Sequence, residues 1–117
     1  MAKQEIRGNI MIFTIEVVAK QTKYQELYQT LQALLPTIRQ EKGCRDGRIY
    51  RDTANGEIFF LSVGWEEQAN LEHYLRSNCG SALLGALEVL SETCRVRIGS
   101  EGPWVGIEAL KRMRQET

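Results

Sequence analysis

Residues Asn9 to Val18, NIMIFTIEVV, carry β-branched and aromatic side chains without clean alternation, the pattern of a central strand buried on both faces. The period then changes. Leu27, Leu31, Leu34, Leu35 and Ile38 recur at helical spacing, and Thr22 with Gln25 three positions later makes a capping box. A helix is therefore predicted from about Lys23 to Lys42, with Gly43 as its C′ residue and a bend near Pro36. In GRIYRDTANGEIFFLSV, Asn55-Gly56 separates two strand-like runs, which predicts an antiparallel hairpin with a tight, positive-φ turn. After Trp65 the helical period returns: Leu71, Tyr74 and Leu75 share one face, and Leu83, Leu84, Leu87 and Leu90 another. Asn78 to Ser81 interrupts them, so two short helices are expected. CRVRI alternates Cys94, Val96 and Ile98 with Arg95 and Arg97, a strand with one buried face.

The order βαββαβ, with its second helix split, predicts an α+β, ferredoxin-like domain: a four-stranded antiparallel sheet with helices on one face. Strands this apolar would leave the opposite face exposed, and a second copy of the chain is the simplest cover, which predicts a homodimer. The domain is expected over residues 1–98, with 99–117 as an extension. In that extension Trp104, Ile107, Leu110 and Met113 have roughly helical spacing. So short a stripe must dock, either on its own or a partner's surface or as an arm over a pocket mouth.

A length of 117 residues suits one domain. Fifteen basic and fifteen acidic residues cancel, which disfavours nucleic acid and anionic membrane as partners. An RNA-recognition module shares the strand order and would display Phe13, Phe59 and Phe60, but GEIFFLSV lacks the basic-glycine-aromatic pattern. No apolar run approaches the roughly 18–20 residues of a membrane helix, and MAKQEIRG lacks a signal peptide's apolar segment, so a cytoplasmic location is expected. Cys44, Cys79 and Cys94 are widely spaced, and the chain has one histidine, so reduced, packed thiols are expected rather than a disulfide or a metal site.

That histidine, His73, lies in WEEQANLEHYLRS. At about 100° per residue it falls roughly 150° from the centre of the Leu71, Tyr74 and Leu75 face, and so points away from the sheet. Tyr74 belongs on the inner flank, where its ring can line a pocket. Trp65, at the end of its strand, could orient an aromatic ligand. Arg7 and Asn9 flank the first strand, near a possible pocket mouth.

The run LLPTIRQEKGCRDGRIYRD, a strand ending in Trp65 and then NLEHYLRSNCGSALLGAL resembles the antibiotic biosynthesis monooxygenase superfamily of small dimeric α+β barrels, over about Asn9 to Ile98. The resemblance implies a pocket between sheet and helices. In active members it also implies oxidation of quinol-like or polycyclic aromatic molecules by O2 without metal or flavin. The histidine that many members place nine residues after the tryptophan falls here on Tyr74, and Ser62, Val63 and Gly64 stand where a carboxylate often precedes it. Tyr74, Trp65 and, from the neighbouring position, His73 are the candidate catalytic residues; Asn9, Phe13, Phe60 and Leu84 are the candidate substrate contacts. In the haem-degrading branch the equivalent tryptophan and iron-binding histidine would be Tyr74 and Leu84, and leucine cannot ligate iron, so no cofactor is expected. The resulting expectation is a cofactor-independent monooxygenase acting on a small aromatic or quinol-like molecule. The alternative is a non-catalytic homodimer that binds such a ligand on the same scaffold.

Overall fold

The computed structural model describes residues 10–115. Strand β1 (Met11–Ala19) is followed by helix α1 (Tyr24–Arg39), strands β2 (Cys44–Arg51) and β3 (Ile58–Trp65), and helices α2 (Gln68–Arg76) and α3 (Asn78–Leu90). Strand β4 (Ser91–Ile98), the short β5 (Val105–Gly106) and helix α4 (Glu108–Gln115) complete the chain. The sheet order is β2-β3-β1-β4-β5, all antiparallel, and the split second helix falls where the sequence interrupts the leucine pattern. The sheet has five strands rather than the four expected, because Val105 and Gly106 pair with Val96 and Arg95 at the outer edge of β4.

One face of the sheet carries Phe13, Ile15, Val17, Phe59, Leu61, Val63, Trp65 and Val96, all at most 2% exposed. Against them pack Leu27, Leu31 and Ile38 of α1, Leu71 and Leu75 of α2, and Leu83 and Leu87 of α3. Each such side chain contributes about 1.5–3 kcal/mol by leaving water, so this interleaved layer holds the helices on the sheet. Within one chain β1 alternates between buried and half-exposed positions instead of being buried on both faces. Its outward positions, Thr14 and Glu16, register with Ser62 and Phe60 of β3 and with Arg97 and Arg95 of β4. That outer face is mixed rather than continuously apolar.

Local chemistry explains three departures from the predicted elements. Helix α1 starts at Tyr24 with Lys23 as N-cap and no side-chain cap, so Thr22 lies one residue too early to make its capping box with Gln25. A capping box forms instead on α2, where Glu67 N–H donates to Asn70 Oδ1 at 3.0 Å. Between β2 and β3 neither Asn55 nor Gly56 has positive φ. The Asp52 carboxylate accepts the N–H groups of Ala54 and Asn55 (3.0 and 2.8 Å), and Asn55 Oδ1 accepts that of Glu57 (3.0 Å), which stabilises a wider loop over 52–57. Gly43 does adopt φ +85°, three residues beyond the α1 C-cap Gln40. Its carbonyl accepts Glu66 N–H at 2.8 Å, and a side chain there would overlap the Asn70 amide. Glycine thus lets the chain leaving α1 lie against the start of α2.

The extension docks on its own subunit. Leu110 is fully buried and Met113 is 9% exposed, Arg114 Nη2 donates to Ser81 Oγ at 2.6 Å, and Lys111 pairs with Glu88. Trp104 leaves the predicted stripe. Its ring lies under the guanidinium groups of Arg95 and Arg97, at 4.7 and 4.9 Å, because it precedes β5 and folds onto the outer sheet face. Among the described residues, no helix is long and apolar enough to cross a membrane.

Candidate active site

Trp65 ends β3 in register with Met11 of β1 and Cys44 of β2, which fixes its indole over the helix-facing side of the sheet. It is fully buried, and its ring centroid lies 5.6 Å from that of Tyr74 at an interplanar angle of 32°. Tyr74 is 1% exposed, as its place beside Leu71 and Leu75 on α2 requires. Its hydroxyl meets Cys79 Sγ at 3.3 Å across the break between α2 and α3.

Ser77 builds that break. Its Oγ accepts Gly80 N–H at 3.1 Å as the N-cap of α3 and donates to Tyr74 O at 2.6 Å. Gly80 carries no side chain to separate the two helices: a Cβ there would lie 2.8 Å from Leu75 Cα and closer still to Tyr74 O.

One donor in this arrangement has no acceptor. Trp65 Nε1 is buried without a hydrogen-bond partner among the described residues. Burial, followed by the hydrogen bond with Cys79, raises the Tyr74 phenol far above its ordinary value, so it stays protonated. Cys44, opposite Trp65 in the sheet, is half-buried, and desolvation raises its thiol too. No charged side chain among the described residues is buried. The Trp65–Tyr74 pair is therefore enclosed by apolar side chains, with no buried charge beside it. Among the described residues no group of three or more His, Cys, Asp and Glu is placed to hold a metal ion.

The structure brings some predicted residues together and separates others. Phe13 (1% exposed) and Leu84 (4%) belong to the same buried cluster as Trp65 and Tyr74. Phe60 does not share their side: it alternates with the buried Phe59 and Leu61 and registers with Glu16 and Tyr50 on the outer face. The period of two along β3 rules it out as a wall of the same pocket. His73 is exposed, as the helix phase requires. Asn9 and Arg7 lie outside the described residues. The sequence reading missed the Tyr74–Cys79 contact and the orphaned indole, although a cysteine just beyond a helix break, five residues from an inward tyrosine, was a usable signal.

An antiparallel sheet with helices packed on one face and a tryptophan–tyrosine pair held beneath a split helix defines a small ferredoxin-like α+β domain with a buried aromatic pair. The family profile described as antibiotic biosynthesis monooxygenase matches residues 10–79, more than half of the chain. The chain belongs to that family. Solved structures agree on the fold. A conserved protein from Methanosarcina mazei is 20% identical, with a TM-score of 0.74, covering 84% of this chain and 96% of its own. Rv0793 from Mycobacterium tuberculosis is 16% identical, with a TM-score of 0.73, covering 80% and 96%. A structure described as an antibiotic biosynthesis monooxygenase is 15% identical, with a TM-score of 0.71, covering 80% and 99%. No curated protein matches the chain significantly.

Proposed function

We propose that the chain is a homodimeric oxygenase that oxidises a quinol-like or polycyclic aromatic molecule with O2, the substrate supplying the electrons. The observation that carries this reading is the Trp65 indole N–H, buried beside Tyr74 with no acceptor among the described residues. An unpaired buried donor costs about 1–3 kcal/mol, and a ligand oxygen would recover it. In an anthrone-type reaction the substrate CH2 becomes a carbonyl while one atom of O2 enters it and the other leaves as water. A quinol likewise gives a hydroxyquinone and water. Phe13 and Leu84 supply dry walls, and Trp65 and Tyr74 orient the ring. Because Tyr74 stays protonated, the substrate has to ionise with little help from the protein, which selects acidic phenols and anthrones.

The second reading, a non-catalytic homodimer on the same scaffold that binds such a ligand without turning it over, shares the burial of Trp65 and Tyr74, so in both readings α2 shifts before a ring can enter. Oxygen uptake with reduced quinols or anthrones separates the two. Turnover that Trp65→Phe and Tyr74→Phe each reduce supports catalysis at this site. Binding without oxygen uptake supports the second reading, and turnover unaffected by either substitution removes the site assignment. The homodimer rests on the family resemblance and on the outer face, where Ile12 and Tyr50 are 39% and 51% exposed. Gel filtration at micromolar concentration showing only the 13.4 kDa species would exclude it.

A further inference from the structure

A second recess lies away from the Trp65 site and shares no residue with it. The C-terminal half of α1 and the edge strand β2 enclose a groove of about 410 Å³ lined by Tyr28, Gln32, Leu35, Pro36, Arg39, Arg48, Ile49 and Tyr50. Its volume is at the lower end of small-molecule sites. Leu35, Pro36 and Ile49 give it apolar surface, Tyr28 gives it an aromatic wall, and Tyr50 borders it at the edge of β2.

Its polar groups are mostly donors. Arg39 Nε is held by Gly47 O at 2.9 Å, while its two Nη groups make no hydrogen bond among the described residues. Gln32 Nε2 donates to Tyr28 Oη at 3.0 Å, which leaves the Tyr28 proton free to be donated in turn. Stacking on Phe59, 5.3 Å between centroids and 15° between planes, fixes the Tyr28 ring. Arg48 is neutralised by Asp46 at 3.1 Å, and no carboxylate lines the groove, so Arg39 gives it a net positive charge. A charged, partly tethered guanidinium above aromatic and aliphatic walls matches a small aromatic acid, its carboxylate on Arg39 and Tyr28 and its ring beside Leu35 and Pro36.

We propose that this α1–β2 groove binds a small aromatic carboxylate, independently of the chemistry at Trp65. Benzoate is the probe, titrated into the full-length protein and followed by NMR amide shifts, with acetate and benzyl alcohol as the ring-free and charge-free comparisons. Benzoate should bind more tightly than both and shift the amides of Leu35, Ile49 and Tyr50 rather than that of Leu84. Arg39→Met should weaken it about tenfold, the usual effect of losing one charge-assisted hydrogen bond. Tyr28→Phe, which removes the hydroxyl and keeps the ring stacked on Phe59, should weaken it severalfold. Acetate binding equal to that of benzoate, shifts confined to the Trp65 region, or affinity unchanged in both variants would each overturn the proposal.

Discussion

Replacing Gly80 with alanine tests the helix crossing on which the candidate site depends. The added methyl would lie 2.8 Å from Leu75 Cα and 2.9 Å from Leu75 C, and nearer still to Tyr74 O, and all three are backbone atoms that no side-chain rotation can move. Relief requires α3 to move roughly an ångström away from α2, an overpacking strain of about 1–3 kcal/mol. That movement lengthens the bonds from Gly80 N–H to Ser77 Oγ and from Ser77 Oγ to Tyr74 O, and losing such a cap costs about 1 kcal/mol. Alanine's better helix propensity returns at most about 1 kcal/mol. The net expectation is a loss of about 1–3 kcal/mol, or a Tm lower by about 4–12 °C for a chain of this size. Gly85→Ala is the internal comparison. It lies in the same helix with nothing within 4 Å of an added Cβ, so propensity alone should stabilise the protein by about 0.5–1 kcal/mol. Thermal and urea denaturation followed by circular dichroism, at one protein concentration, reads both. If Gly80→Ala matches Gly85→Ala in sign, the close crossing is absent and the Tyr74–Cys79 geometry built on it fails.

Stability should also fall at alkaline pH. Burial raises Cys94 from 9.0 to about 11 and raises Tyr74 further, so the folded state keeps protons that the unfolded chain has released. Their contribution is fully present below about pH 9 and declines above it, by up to about 2.5 kcal/mol for Cys94 by pH 11. A Cys94→Ala urea series with the same slope between pH 8.5 and 11 as the parent would refute the Cys94 share. Leu110→Ala, at a fully buried position of α4, should cost about 2–4 kcal/mol in a single cooperative transition; an unchanged midpoint would mean that the extension does not dock. Asn70→Ala removes the acceptor for Glu67 N–H at the start of α2 and should cost about 1 kcal/mol by the same assay, whereas a cost below a few tenths would show that water replaces it.

The features legible in the sequence were those set by the spacing of apolar residues. Leu27, Leu31, Leu35 and Ile38 marked the buried stripe of α1, and the one-residue difference between His73 and Tyr74 separated an exposed side chain from a buried one. What failed depended on competing short-range bonds or on contacts distant in sequence. Asn55-Gly56 has the composition of a tight turn, but Asp52 three residues earlier captures the loop N–H groups first. Phe60 looked like a pocket residue because it is aromatic, while the register with Glu16 and Tyr50 that turns it outward becomes visible only once the strands are paired. The orphaned indole of Trp65 results from three elements closing around one side chain, and no local pattern encodes it.

The two rims of the sheet end in different ways, and this bears on how copies of the chain can associate. On the β4 rim, two residues of the chain's own extension occupy the pairing positions. On the β2 rim, Arg39 holds the Gly47 carbonyl, which an incoming strand would otherwise use. With these positions taken, strand-by-strand growth is disfavoured at both rims, which leaves the outer face for the proposed contact between copies. A face-to-face contact of the kind proposed would close after two subunits, so the same devices that finish the sheet would also guard against open-ended fibres.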